Sequence, residues 1–430
     1  MRKVLLGGAL LLVLIVGVLW WTAGHDQESG EAPPPATPAS ADPVQHGREL
    51  VALADCKSCH TARGGAPFAG GRAIPTPFGT FYSPNITSDA RTGIGSWSST
   101  DFWHALHNGY SKDGTLLYPT FPYTNYTKIS RHDSDAMFAY LRTVAPVSQA
   151  DHPHELSFPY NHRLLLVGWR ALFFRPGVYE SESGHNTEWN RGAYLVQGLA
   201  HCSACHEARN ALGATRQKAG PSGGLVLSWY APSLTSPHEA GVQSWSEADI
   251  VTLLKTGQVA SSAVKAATSG PMAEVVSESL QRAPDDELLA MADYLKSLPV
   301  TNAPDEGSAA TPQDQIPQAL LAAGKSLYGK NCADCHGDHG EGREPAAPPL
   351  AGNRAVTMTS AVDPIRMVLF GGYSAGTAGN PRPFGMPPYS LVFSDEEIAE
   401  VLLYVRSSWG NAARPVRGEE VSANRGSPLW

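Results

Sequence analysis

Six cysteines and three histidines in this sequence have the types and spacing that bind haem. They form three copies of the pattern Cys-x-x-Cys-His, at residues 56–60, 202–206 and 332–336. In this pattern the two thiols form thioether bonds to haem, and the histidine is the proximal iron ligand. We therefore predict three covalently attached haem c groups. The predicted attachment residues are Cys56, Cys59, His60, Cys202, Cys205, His206, Cys332, Cys335 and His336.

Three disulfides or a zinc site are the alternative uses of six cysteines. Neither alternative explains why a histidine follows the second cysteine of every pair. A zinc site also needs ligands that converge on one ion, with a spacing that these pairs do not have. The net charge of −8 argues against nucleic-acid binding, which requires a basic stripe.

The sixth iron ligand of an electron-carrying cytochrome is usually a methionine sulfur. Met386 lies in residues 384–389, just before the last predicted helix, where glycine and proline flank it. Met272 holds the same place in the second repeat. We predict these two methionines as iron ligands. The first repeat has Phe121 in this position, and phenylalanine cannot bind iron.

The first haem therefore has no evident sixth ligand. Met137 shares a predicted helix face with two apolar residues, which favours core packing. His107 aligns with residues that have no ligand role in the other repeats, and nothing in the sequence supports His104 or His132. Five-coordinate iron, a water ligand and a ligand from outside the usual loop all remain open.

Helices must position these residues, and the same plan recurs in each repeat. A short amphipathic helix precedes each haem motif, a second helix follows it, and a helix with an acidic start closes the repeat. This is the plan of a class I cytochrome c domain, so we predict an all-α chain of three tandem domains. The predicted boundaries are membrane anchor or signal 1–21, linker 22–42, domain 43–150, apolar extension 151–186, domain 187–300, linker 301–316, domain 317–412 and tail 413–430.

The apolar run at residues 4–21 follows Arg2 and Lys3. Its eighteen residues are at the lower limit for crossing a bilayer, and no clear cleavage site follows, so an anchor and a removed signal both remain open. The basic start keeps the N-terminus in the cytoplasm and places the rest on the periplasmic face of the inner membrane. We expect the polar tail to be loosely held.

The apolar extension contains residues 164–174, which are too few and too interrupted to span a membrane. Two interpretations remain open for it. It forms a helix packed between the first and second repeats, or it presents an apolar surface to a partner subunit or to the membrane interface.

Several further segments carry a family resemblance, which covers the chain from about Pro43 to Asn411. They are residues 82–87, 92–97, 160–161, 169–177, 272–276 and 404–411. Together with the haem motifs they resemble the triheme cytochrome c subunits of membrane-bound bacterial dehydrogenases, such as the alcohol, gluconate and aldehyde dehydrogenase complexes.

The resemblance implies haem attachment at all three motifs and iron ligation by Met272 and Met386. It also implies a dehydrogenase catalytic subunit as electron donor (a quinoprotein, a flavoprotein or a molybdenum hydroxylase) and ubiquinone or a terminal oxidase as acceptor. The alcohol dehydrogenase branch of this family usually has methionine at the position of Phe121. The resemblance therefore favours a molybdenum hydroxylase as the partner.

We predict an electron-transfer subunit and not a catalyst. Two alternatives remain: a haem enzyme that uses an open first haem in a peroxidase-like reaction, and a cytochrome subunit of a terminal oxidase.

Overall fold

The structure is a computed structural model that describes residues 32–34, 40–216, 220–301, 315–344 and 346–426. The apolar run at 4–21 and most of both predicted linkers lie outside these residues. Among the described helices, none combines the length and the apolar character that crossing a bilayer requires. We call residues 43–150, 187–300 and 317–412 the first, second and third units.

The first unit and its extension contain six helices and one small sheet within the described residues. The helices are α1 Pro43–Leu53, α2 Cys56–Cys59, α3 Ser99–Asn108, α4 Tyr123–Tyr126, α5 Arg131–Leu141 and α6 Leu165–Phe173. The strands β1 Ala73–Thr76, β2 Gly79–Tyr82 and β3 Glu155–Leu156 form an antiparallel sheet in that order. Ser98 begins α3 with a capping box, and Gly109 ends it in the left-handed conformation.

The second unit has the same order of helices, with one more hairpin and two short helical turns. Its helices are α7 Thr187–Tyr194, α8 Ser203–His206, α9 Glu247–Thr256, α10 Gly270–Glu278 and α11 Asp285–Ser297, with a π-helical turn at Leu195–Leu199 and a 3-10 turn at Leu280–Arg282. Its hairpins pair β4 Gly224–Val226 with β5 Trp229–Ala231, and β6 Gln258–Ala260 with β7 Lys265–Ala267. Ser246 and Gly257 cap α9 as Ser98 and Gly109 cap α3.

The third unit and the segment after it complete the described chain. The helices are α12 Gln318–Asn331, α13 Ala333–His336, α14 Arg354–Thr357, α15 Val362–Phe370, α16 Asp395–Ser407 and α17 Gly418–Arg425. Strand β8 Gly372–Tyr373 pairs with β9 Gly385–Met386. Acidic residues occupy the first turn of α16, behind a Ser394 capping box, as the sequence predicts.

In each unit the helix before the haem motif crosses the closing helix at a glycine. These glycines are Gly47, Gly192 and Gly324. A Cβ on them would lie 1.8, 1.9 and 2.1 Å from the carbonyl oxygens of Ala136, Ala290 and Glu400, respectively. Only a residue without a side chain permits this approach, so the same backbone crossing frames all three haem motifs.

The hydrophobic cores divide the molecule differently from the three repeats. One continuous core runs through the first and second units, from Leu50 and Met137 to Leu195 and Leu288. The third unit has a separate core around Leu369. The first two units therefore form one packed body.

Two expectations need correction against the structure. The chain is largely helical, but the short hairpins make an all-α description incomplete, because strands of two to four residues are too short to leave a period-two pattern. Residues 413–426, the described part of the predicted tail, are not loosely held. They form α17, bury Val421, and join α16 through Arg425 Nε, 2.8 Å from Asp395 Oδ1.

The apolar extension has two faces. Leu166 and Phe174 are buried, and Trp169 Nε1 donates to the Leu212 carbonyl of the second unit at 2.9 Å. The predicted contact between the two units is thus present. Leu164 and Leu172, however, are 81% and 71% exposed, so the other side of α6 is an apolar surface.

Polar contacts join the third unit to the second. The Tyr230 amide donates to Asp363 Oδ1 at 2.8 Å, and the buried Arg366 guanidinium lies 5.1 Å from the Trp229 ring centroid. Gln258 Nε2 also lies 2.9 Å from the hydroxyl oxygen of Ser374. Within the described residues, Ala375 is the one buried residue of the third unit that belongs to the core of the first two units.

Asp363 makes the stability of this junction depend on pH. Burial raises the pKa of its carboxyl from 3.8 to about 7, against the opposing effects of the Tyr230 amide and Arg366. The folded state therefore binds the proton more tightly than the unfolded state, and stability decreases as pH rises from about 4 to about 7. Asp363→Asn should remove this decrease and make the protein more stable than the parent at pH 8, by roughly 2–4 kcal/mol.

Denaturant unfolding of the parent and Asp363→Asn at pH 5 and pH 8 measures this effect. Glu419→Gln removes an exposed carboxylate from α17 and is the matched control. Equal pH dependence in the parent and Asp363→Asn would contradict the prediction.

Candidate haem-binding sites

Each haem motif forms one helical turn, at α2, α8 and α13. The amide of the motif histidine donates to the carbonyl of the first cysteine at 2.9 Å in all three copies. This turn places both thiols and the imidazole of a motif close together. The structure joins no two of the six cysteines, all of which lie in the described residues, in a disulfide.

Every motif histidine has the same partner for its Nδ1 atom, a proline carbonyl oxygen. The distances are 2.8 Å from His60 to Pro84, 2.8 Å from His206 to Pro232 and 3.1 Å from His336 to Pro348. A carbonyl can only accept, so Nδ1 carries the proton and the Nε2 lone pair is free to bind iron. The contact that orients an iron-binding imidazole is therefore present three times.

Burial also sets the protonation state of these rings. It lowers the pKa of His60, His206 and His336 below the usual value, and the hydrogen bond to the proline carbonyl only partly offsets this effect. The imidazoles are therefore neutral at pH 7, which is the form that ligates a metal. The residues present fit a covalently bound haem at each motif.

Five of the six thiols, those of Cys56, Cys59, Cys202, Cys205 and Cys332, have raised pKa values and are not activated nucleophiles. Burial raises the pKa of Cys59 and Cys202 to about 12 and that of Cys332 to about 11. A thiol with such a pKa is protonated at neutral pH, whereas the cysteines of catalytic dithiols have lowered pKa values. These five thiols are therefore not suited to redox catalysis of their own.

The sequence analysis did not predict these three prolines as site residues, although a sequence pattern marks them. In each unit the proline is followed, two residues later, by isoleucine or leucine. These residues are Ile86, Leu234 and Leu350. The interval from histidine to proline varies from 12 to 26 residues, which hides the pattern from a search at fixed spacing.

Comparison with known proteins supports the same assignment. The cytochrome c family model matches residues 44–145 and 321–409, in the first and third units. The cytochrome c subunit of the quinone alcohol dehydrogenase of Gluconobacter oxydans is 39% identical over 91% of this chain and 81% of its own length. This chain belongs to the family of dehydrogenase cytochrome c subunits. Members of the cytochrome c family carry covalently bound haem c.

Two further relatives extend the comparison. The gluconate 2-dehydrogenase cytochrome c subunit of Pantoea cypripedii is 35% identical over 96% of this cytochrome subunit and 94% of its own length. A nicotinate dehydrogenase subunit of Pseudomonas putida is 37% identical over 98% of this chain, which spans only 35% of that protein. An electron-transfer role, and not a catalytic one, agrees with the two relatives that are named as cytochrome subunits.

The two candidate methionines of this cytochrome subunit occupy different local structures. Met386 lies in β9, opposite Gly372 of β8, and is half-buried against the core of the third unit. Met272 lies in the first turn of α10, where Pro271 occupies the second helical position. Their roles as sixth ligands remain predictions.

The first unit has Phe121 in the corresponding place, half-buried, with its ring 5.4 Å from that of Tyr126. Met137 is fully buried in the core, as predicted. His107 Nδ1 lies 2.8 Å from the Thr127 carbonyl, and His104 Nδ1 lies 2.9 Å from the side-chain oxygen of Asn108. The Nδ1 atoms of both histidines therefore have partners within the protein, a contact that the motif histidines also make through Nδ1.

Replacing Met386 tests the ligand assignment in the third unit. Met386→Leu conserves volume but removes the sulfur, so the Met-to-iron charge-transfer absorbance should fall by about half if two methionines ligate. Met367→Leu, in α15, is the matched control and should leave it unchanged. Phe121→Met should add to the signal. Full absorbance in Met386→Leu would exclude this ligand.

The first and second haem motifs contact each other's units. Lys57 Nζ, within the first motif, lies 2.7 Å from Glu278 Oε2 at the end of α10. Asn125 Nδ2 of the first unit donates to the hydroxyl oxygen of Ser203, within the second motif, at 2.6 Å. These reciprocal contacts tie both motifs to one body.

Proposed function

We propose that this chain transfers electrons from a dehydrogenase catalytic subunit to ubiquinone or a terminal oxidase through three haem c groups. The observation that carries the proposal is the histidine–proline hydrogen bond, which recurs at all three motifs. Family membership supports the dehydrogenase partner and does not favour the peroxidase-like or terminal-oxidase alternatives.

Haem supplies reversible one-electron chemistry when bound, and the protein sets its ligands and surroundings. In each unit the cysteine pair fixes the position of the group, and the proline carbonyl holds the histidine ring and its tautomer. Met272 and Met386 would each supply a thioether sulfur, which favours ferrous iron and raises the reduction potential. The first unit, with Phe121, would hold a group of different potential.

The packing supports direct exchange between the first and second haem sites. His201, just before the second motif, has its Nε2 3.3 Å from the carbonyl oxygen of Ala54, and the Tyr126 hydroxyl donates to the same oxygen at 3.0 Å. Ala54 is two residues before the first haem-attaching cysteine. The two motifs are thus separated by a few packed groups in a shared core.

We place the protein on the periplasmic face of the inner membrane, with residues 4–21 as anchor or signal. The exposed side of α6 would be a second contact with the membrane interface. Leu164 and Leu172 are exposed, Arg163 and Arg175 flank the helix in sequence, and no acidic residue occurs between residues 156 and 179. Apolar and basic side chains together suit an anionic bilayer surface.

Vesicle binding tests this contact in a chain without residues 1–21. Leu164→Gln with Leu172→Gln should weaken binding to anionic vesicles at least fivefold. The reason is that two leucine side chains, which the bilayer would bury, are replaced by polar ones. Leu225→Gln, which changes an exposed leucine of β4, is the control. If vesicle binding persists but binding to the dehydrogenase is lost, the surface is a partner contact instead.

Isolation of the native complex tests the main proposal. A C-terminally tagged chain should co-purify with a quinoprotein, flavoprotein or molybdenum hydroxylase, and the substrate of that subunit should reduce the haem groups. Co-purification with a copper–haem oxidase alone would favour the oxidase alternative. Carbon monoxide binding with rapid peroxide turnover by the isolated chain would favour the enzyme alternative.

A further inference from the structure

Three side chains with metal-binding atoms meet in the first unit, outside its haem motif. His46 lies on α1, and His132 and Asp133 lie in the first turn of α5. His46 Nε2 is 3.0 Å from Asp133 Oδ1, and His132 Nδ1 is 3.4 Å from the same oxygen. The three potential ligand atoms all lie within 4.8 Å of one another.

These separations suit a transition-metal ion. Zinc binds imidazole nitrogen and carboxylate oxygen at about 2.0–2.2 Å, so neighbouring ligand atoms of a tetrahedral site lie roughly 3.3 Å apart. His46 and Asp133 are buried, whereas the His132 side chain is 79% exposed. An ion could therefore enter from the solvent at His132 and retain water in a fourth position.

The carboxylate is oriented from behind, as metal ligands usually are. The Tyr194 hydroxyl donates to Asp133 Oδ2 at 2.6 Å and leaves Oδ1 directed at the two imidazoles. Burial alone would raise the pKa of Asp133, but the hydrogen bonds from His46 and Tyr194 and the nearby Arg191 lower it overall. Arg191 is itself paired with Glu287, so its charge is compensated.

The second unit has an ion pair, without a metal, at the positions equivalent to His46 and Asp133. Relative to the glycine of the helix crossing, Arg191 and Glu287 occupy the positions of His46 and Asp133. There the guanidinium binds the carboxylate through Nε at 2.9 Å and Nη2 at 2.6 Å. The third unit has Ala323 opposite Glu397. The first unit thus replaces a permanent cation by two imidazoles around the carboxylate.

We propose that His46 Nε2, His132 Nδ1 and Asp133 Oδ1 form a binding site for one divalent transition-metal ion of the zinc class. The ion would take the place that the Arg191 guanidinium occupies in the second unit, and would join α1 to α5. None of the three ligands belongs to a haem motif. The alternative is a metal-free site, in which His46 only hydrogen-bonds to Asp133.

Titration of the haem-loaded protein with Zn²⁺ tests the site by calorimetry, with metal content measured after dialysis. The parent should bind one equivalent, and His132→Ala should weaken this binding at least tenfold. His132 is exposed, so its replacement should preserve the fold. His238→Ala removes another exposed histidine, in the second unit, and should bind as the parent does. No saturable binding by the parent, or unchanged binding by His132→Ala, overturns the proposal.

A second variant gives a readout that is independent of lost packing. His46→Arg copies the ion pair of the second unit, so it should fold with all its haem and bind no Zn²⁺ at this site. Zn²⁺ should raise the unfolding midpoint of the parent and not that of His46→Arg. An equal rise in both proteins would exclude His46 as a ligand and overturn the site.

Discussion

Replacing Cys202 and Cys205 together by serine should yield a protein with two haem groups in place of three. Serine cannot form the thioether bonds, so His206 alone would have to retain the group. We expect the intact mass to fall by one haem and the haem absorbance per protein to fall by about a third. Mass spectrometry of the denatured protein measures the covalent part directly.

The same variant should disturb more than the haem content. The second motif lies against Asn125, and α7 and α11 share a core with the first unit. We therefore expect earlier thermal unfolding of the first two units together. Ser203→Ala changes the same helical turn without removing a thiol and should keep all three groups. Three covalent haems in the double serine variant would disprove attachment at this motif.

Gly324→Val should destabilise the third unit by about 3 kcal/mol or more, because overpacked cores and forced backbone shifts have costs of this order. A Cβ at Gly324 would lie 2.1 Å from the Glu400 carbonyl and 2.9 Å from the Tyr404 Cβ. Neither atom is the end of a flexible side chain, so the two helices have to separate. Since α13 directly follows α12, the haem motif would shift with it.

Gly329→Ala in the same helix is the matched control. Gly329 has open space around its Cβ position, so alanine should stabilise α12 by about 0.5–1 kcal/mol. Denaturant unfolding, followed by the haem absorbance of the third unit, compares the two variants. Similar stability of Gly324→Val and the parent would show that the helix crossing tolerates a side chain.

Local sequence patterns predict the parts of this structure that depend on residues close together in the chain. The acidic start of α16, which the sequence predicts for each closing helix, is of this kind. Met137 could be assigned to the core because its neighbours on one helix face are apolar. The residues that resemble known dehydrogenase subunits predicted the family correctly.

Contacts between distant segments were not predictable in this way. Asp363 looks like an ordinary acidic helix start, and only the fold brings it to the Tyr230 amide. His46 and Asp133 are 87 residues apart, and neither carries a motif. The fused core of the first two units was also missed, because a repeat count gives the number of similar units but not which faces they bury.

That fused core constrains how the protein matures. The first two motifs lie against each other's units, so the attachment machinery must reach both cysteine pairs before these units close together. The third unit has its own core and places no such condition on its motif. We expect partly matured chains to fall into two classes: those with the third haem alone, and those with the first two haems acquired together.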